Sequence, residues 1–398
     1  VFASKAELDA WLARTIPMPS KAEPLDNLDD IEEPSTELVA LEAQSASLPW
    51  RTVGLGMLVV CVGLLAWHER AAPVVPLALT VVGEAVEARG ADSQLVWRHE
   101  LGRAVSRIPD DVLAPLDRFN ASVADVDLDG DGAIEHVLPV RFGAVGGDPS
   151  STDGLLLFRS DGGLLWSFQP EYSFTCGGQV YGGPWRLKSV VVSSEGAERR
   201  LWASYIHHTW WPSFVVEITF DGHSTLKYFQ TGWVMSLAEV ALGNRTLVAA
   251  AGVLNDVARP SLVLFDPDQE RTMLPAATPE FACDVAAGGP DRAILFPMNE
   301  VATAHRSPYV IAHRVQNLGG SLRVEVDGAR MLAFLDGAGR VNGMSFSDSY
   351  FKEHEGLTGL RLLNHQLGLC PEQQTPAQIE EWTPDHGWQT YGVPLSRR

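Results

Sequence analysis

Between Asp125 and Glu135 the chain places carboxylates at alternate positions. Asp127, Asp129 and Asp131 are followed by Gly132 and then by Glu135, giving D-x-D-x-D-G-x-x-E. Alternating carboxylates on a tight loop converge on one hard cation. Glycine permits the turn, and the backbone carbonyl of Ala133 adds a further oxygen. Oxygen-rich donors of this kind suit Ca²⁺. The competing reading is an acidic, solvated turn without metal. An EF-hand needs a glutamate where Leu138 stands, and helices on both sides, so that reading fails.

A loop like this must be held by regular elements, and the surrounding sequence supplies strands. From about Ser93 short runs of Val, Ile, Leu, Phe and Trp recur between Asp-Gly or Gly-Gly turns, the hairpin signal. One unit, strand–turn–strand, appears at 155–168, 214–229, 262–273 and 331–341. Other strand pairs lie between, at 123–140, 189–206 and 236–252. Two hairpins make a four-stranded blade, and blades must pack on one another to cover their faces. The expected fold over residues 93–398 is therefore mainly β, a β-propeller, with a β-sandwich or several β modules as the alternative. The half-unit at 93–104 is expected to pair with a terminal strand and close the ring. Leu77–Val82 reads as strand-like, and helices are expected only near Leu101–Val105 and Pro376–Trp382.

The acidic loop between β-strands resembles FG-GAP or VCBS repeats, the calcium-bearing propeller modules of integrin-α-like and many bacterial surface proteins. That resemblance implies Ca²⁺ ligation by Asp127, Asp129, Asp131 and Glu135, with Asp125 as an outer helper. The family ends its ligand set in Asp, where this chain has Glu135. The equivalent turns, Ser193-Ser194-Glu195-Gly196 and Leu242-Gly243-Asn244, lack the carboxylates, so one metal site is expected. The GGLLW turn unit is also similar to quinoprotein-like propeller repeats, in scaffold only.

Other reactive side chains carry less. His207 and His208 are adjacent, so on a strand they face opposite sides and do not share a metal. Trp210 and Trp211 offer an aromatic platform for a sugar or peptide, or core packing. His354, between Glu353 and Glu355, reads as part of a solvated loop. Cys176, Cys283 and Cys370 leave at least one cysteine outside any disulfide, and spacing chooses no pair. Asn120 and Asn244 begin glycosylation sequons. HExxH, G-x-S-x-G and Walker sequences are absent, and Ser349-Tyr-Phe-Lys352 fits S-x-x-K without its companion motifs.

The N-terminal part is of another kind. Residues 50–67, WRTVGLGMLVVCVGLLAW, carry no charge after Arg51. They suit a membrane-spanning helix with interfacial Trp50 and Trp67, the alternatives being a buried core helix or a signal-peptide core. Residues 15–49 are acidic and proline-bearing, an expected flexible linker. Residues 1–14 open an amphipathic helix in which Ser4 and Glu7 have capping-box spacing. With Val1-Phe2-Ala3 before it, Glu7-Leu8-Asp9-Ala10-Trp11 resembles the last helix of an excisionase-like or MerR-like helix-turn-helix domain. The recognition helix would lie before Val1, so DNA is a partner only through such a missing domain. Residues 68–92 form a spacer.

A formal net charge of -20 argues against a soluble nucleic-acid binder with a broad basic face. The resulting expectation is a single-pass membrane protein with its N-terminus in the cytoplasm. Its extracytoplasmic, calcium-bearing, non-enzymatic propeller would bind a protein or glycan. The alternatives are a transmembrane transcriptional regulator with the propeller as sensor, and an extracytoplasmic hydrolase or lyase.

Overall fold

The computed structural model describes residues 78–108, 124–143, 151–193, 199–209, 211–285, 288–305, 310–366, 369–370, 372 and 375–396. The chain divides into two units, Val1–Pro73 and Val74–Arg398, and every described residue belongs to the second. The expected helix-turn-helix remnant, acidic linker and membrane span lie outside the described residues. Among the described residues, no helix is long and apolar enough to cross a membrane.

Strands dominate the second unit. The first sheet is a meander of Ala78–Val82, Ala85–Arg89 and Leu95–Glu100. The second contains Val105–Arg107, Ala124–Val126, Glu135–Phe142, Asp153–Phe158 and Leu164–Phe168. The third runs Trp185–Val192, Leu201–His207, Ser213–Ile218 and Ser224–Gln230, with Thr272–Met273 added in parallel. The fourth runs Trp233–Leu242, Arg245–Leu254, Arg259–Phe265, Arg292–Leu295, Ala377–Thr383 and Gly387–Val393. The fifth runs Ile311–Asn317, Leu322–Asp327, Met331–Leu335 and Val341–Phe346, with Leu395–Ser396 in parallel. A small hairpin, Ser173–Cys176 with Gln179–Gly182, stands apart from these ladders.

The sheets stack face to face in chain order, and the side-chain alternation of strands is the cause. In Arg245–Leu254 of the fourth sheet, Leu247, Ala249 and Ala251 point into a core shared with Val324, Ala333 and Met344 of the fifth. Their neighbours Val248 and Ala250 point the other way, against Trp202, Val215 and Tyr228 of the third. The third sheet's opposite face, with Ala203, Tyr205 and Phe214, meets Val137, Leu155 and Leu157 of the second. Leu138, Leu156 and Phe158 then meet Val86 and Ala88 of the first. Interior strands covered on both faces are apolar throughout rather than alternating.

A tryptophan links neighbouring sheets twice in the same way. Trp97 lies over Gly162 and donates its indole N–H to the carbonyl of Ser160 at 3.2 Å. Trp166 lies over Gly222 and donates to Phe220 at 2.8 Å. Both glycines have positive φ, and a side chain on either would strike the ring.

Several expectations change. The units at 155–168, 214–229 and 331–341 are hairpins. The unit at 262–273 is not, because Arg259–Phe265 pairs with Arg292–Leu295, and Thr272–Met273 crosses to the third sheet. The half-unit at 93–104 does not meet a terminal strand. Leu95–Glu100 is satisfied by Ala85–Arg89, and the terminal Leu395–Ser396 by Val341–Phe346. Neither helix expected within residues 93–398 forms: residues 101–104 are irregular and lead into the strand Val105–Arg107, and Pro376–Trp382 is largely the strand Ala377–Thr383, each strand gaining a ladder partner that local propensity does not register. Among the described residues the α-helices are α1, Glu300–Ala304, and α2, Asp348–Gly359, beside a short 3-10 turn at Pro279–Phe281.

Candidate functional site

The acidic loop leaves the short strand Ala124–Val126 and returns as Glu135–Phe142, two segments that pair with each other. Gly130 and Gly132, with φ of 79° and 89°, take the reversals that a side chain would oppose. Backbone amides then orient the carboxylates. Asp127 accepts from Gly130 N at 2.8 Å and Gly132 N at 3.1 Å. Asp129 accepts from Asp131 N at 3.1 Å. Glu135 accepts from Leu128 N at 2.8 Å.

One oxygen from each of Asp127, Asp129 and Glu135 lies within 4.8 Å of the others. Asp131 lies outside this trio and accepts from Ala133 N at 2.7 Å. Asp125 turns to His136 Nδ1 at 2.7 Å. Glu135 is only 3% exposed. Burial raises its pKa, and the charges of Asp129, Asp131 and Asp127 raise it further, against the Leu128 hydrogen bond. Among the described residues no lysine or arginine pairs with this trio.

The aromatic-histidine run behaves differently. Leu201–His207 ends at His207, and the following turn brings His208 round to the same cleft, with ring centroids 4.2 Å apart. The two imidazoles thus share one side, beside Arg186, Lys188 and Trp233. Burial lowers the pKa of His207 to about 4, with His208 adding repulsion. Trp211 packs between Tyr181 and Phe281, so it serves the core; Trp210 lies outside the described residues.

Sequence reading missed a second cluster. His354 is not on a solvated loop. It is fully buried on α2, on one helical face with Tyr350 and Leu357. Its Nε2 lies 3.1 Å from Glu300 Oε1, 3.3 Å from His365 Nε2 and 3.0 Å from Cys370 Sγ. His365 Nε2 lies 3.0 Å from Glu300 Oε2. Tyr350 OH donates to Glu300 at 3.2 Å and to Glu372 at 3.3 Å. Burial beside Glu300 raises Glu372 to a pKa of about 7. Two histidines and a cysteine between 354 and 370 were the available signal. The fourth donor, Glu300, is remote in sequence.

The remaining cysteines pair with each other. Cys176 and Cys283 form a disulfide across a sequence separation of 107.

No protein family model matches the chain, and no curated protein does. Among solved structures it is similar to a protein of unknown function from Bacteroides caccae, at 13% identity over 67% of this chain and 92% of that one, TM-score 0.25. It is similar to a eukaryotic initiation factor at 10% identity over 67% and 61%, TM-score 0.25. A Synechocystis apocarotenoid oxygenase variant matches at 11% identity over 67% and 68%, TM-score 0.28. Likeness at this level defines neither a shared fold nor a shared function. The described chain is a mainly-β protein of stacked sheets.

Proposed function

We propose that this chain is a membrane-anchored recognition protein whose β-propeller of FG-GAP or VCBS kind stands outside the cytoplasm and holds Ca²⁺ in the Asp127–Glu135 loop. The observation that carries the proposal is the convergence of Asp127, Asp129 and Glu135 around a buried carboxylate with no cationic partner among the described residues. Asp131 and the Ala133 carbonyl complete the ligand set, while Asp125 supports it through His136. Ca²⁺ takes 6–8 oxygens, so water fills the remaining positions.

Sheets that stack in chain order support the blade reading, as does the repeated Trp97 and Trp166 link to the next sheet's turn. The Cys176–Cys283 disulfide fits an oxidising compartment. The run at 50–67, uncharged after Arg51, provides the anchor to the lipid bilayer. Broad loop faces of such a scaffold suit a protein or glycan ligand.

The test is calorimetric titration of the full chain in detergent with CaCl₂. Saturable binding that Asp129→Ala abolishes is expected. Equal heats from both proteins overturn the calcium assignment.

A further inference from the structure

The Glu300–His354–His365–Cys370 cluster has no part in the calcium proposal, and ordinary hydrogen bonding does not account for it. An imidazole Nε2 has one in-plane position, either a lone pair or a proton. His354 Nε2 faces three polar atoms within 3.3 Å: a carboxylate oxygen, a sulfur and another imidazole nitrogen. At most one of these contacts is satisfied by a proton. Four donors turned toward one point are instead the arrangement of a coordination sphere.

The distances agree. Tetrahedral zinc bonds of about 2.0–2.3 Å place ligand atoms roughly 3.3–3.6 Å apart. The separations from His354 to Glu300, His365 and Cys370, and from His365 to Glu300, run from 3.0 to 3.3 Å, slightly tighter than a filled tetrahedron, and all four donors lie within 4.8 Å of one another. The outer partners also agree. His365 Nδ1 lies 3.3 Å from Asn364 Oδ1, and His354 Nδ1 lies 3.5 Å from Thr358 Oγ1. A proton on each Nδ1 leaves the Nε2 lone pair for a metal. Tyr350 holds the Glu300 carboxylate in turn.

We propose that Glu300, His354, His365 and Cys370 bind one zinc-class divalent cation, which clamps α1 and α2 to the chain at 365–370. Thiolate and imidazole donors select zinc over hard cations such as calcium. Four protein ligands close the sphere, so the site is structural. Binding releases the Cys370 thiol proton to solvent and uses neutral imidazoles. Tyr350 and Asn364 are positioning residues.

The test uses the full chain, purified without a metal-affinity tag. Elemental analysis should find about one zinc per chain. After zinc removal, Co²⁺ should give tetrahedral ligand-field bands and a thiolate-to-cobalt charge-transfer band. Cys370→Ser should lose the charge-transfer band. His365→Ala should weaken Co²⁺ affinity more than about 100-fold, and Asn364→Ala roughly 10-fold. His223→Ala, on an exposed turn of the third sheet, should leave the spectrum unchanged. If Cys370→Ser does not fold, His365→Ala decides, since its ring sits at the partly exposed edge of the cluster. A folded chain with no zinc and no cobalt bands overturns the proposal, as does unchanged affinity in His365→Ala.

Discussion

Replacing Glu135 by glutamine should stabilise the calcium-free protein and destabilise the calcium-loaded one relative to wild type. Glutamine keeps the size of the side chain and an oxygen that can accept from Leu128 N, so packing and that hydrogen bond survive. Only the charge goes. In the calcium-free protein Glu135 faces Asp127 and Asp129 with oxygens within 4.8 Å. At that separation each like-charge pair costs about 1 kcal/mol in a water-like dielectric and about 3 kcal/mol near a protein surface. Asp129 is exposed and Asp127 half-buried, which favours the lower figure. Removing two such pairs should therefore contribute about 2 kcal/mol, or roughly 2–3 °C in Tm for a chain of this size.

With calcium the order reverses. Saturation at 100 times Kd stabilises the wild type by about 2.7 kcal/mol. The variant has lost its buried ligand and gains little. Thermal scans in EGTA and in excess CaCl₂ read both signs at once. A variant less stable than wild type in EGTA refutes the repulsion argument. Equal calcium-induced shifts in the two proteins refute the assignment of Glu135 as a ligand.

Three further outcomes test the fold. Asp153 is wholly buried and bonded to Arg141 at 2.6 Å and Leu187 N at 3.1 Å, with Arg186 at 3.5 Å. Asp153→Ala leaves those cations without their counter-charge and should cost about 3–5 kcal/mol in urea unfolding. Gly222→Val combines positive φ with collision into Trp166, and should lower stability by at least about 2 kcal/mol and quench-shift tryptophan emission. His207 titrates near pH 4 when folded and near 6.5 when unfolded. The unfolded chain therefore binds the extra proton between those values, and stability should fall as pH drops from 6.5 toward 4. The loss is about 1–3 kcal/mol, and His207→Gln should flatten it in denaturation curves across that range.

Hairpins were legible in the sequence because their signals are local. Asp-Gly turns at 161–162, 221–222 and 336–337 sit between apolar runs, and each run needs only its neighbour. The acidic loop was legible for the same reason, since its carboxylates stand at alternate positions, three of which the structure brings together. Sheet membership was not local. Thr272–Met273 looks like the second arm of a hairpin but joins a sheet whose partner strand ends at Gln230. The metal-type cluster was hidden likewise. Its histidines appear beside charged residues, and only a helix turns His354 inward while Glu353 and Glu355 stay nearer water.

The stack of sheets and its three local fasteners divide the work of stability. Ladders and shared cores hold the sheets, so they should open only globally. Three connections reach those cores through a few side chains only, Leu128, Leu274, Tyr350 and Leu357 among them. Each of these carries a local fastener, two of them through the metals proposed above: the acidic loop at 127–135, the Cys176–Cys283 bond holding residues 274–285 to the Ser173–Cys176 hairpin, and the cluster of Glu300, His354, His365 and Cys370. Breaking a fastener should therefore free its own connection and leave the stack intact. Reduction of the disulfide is the cleanest case, because no metal equilibrium intervenes. Amide exchange after reduction should rise by at least about 10-fold in residues 274–285 and 173–182, corresponding to roughly 1.4 kcal/mol of lost local protection. Val248 and Val263, deep in the fourth sheet, should exchange as before. Uniform acceleration across the sheets would show that the bond supports the global fold, and the division between stack and fasteners would fail.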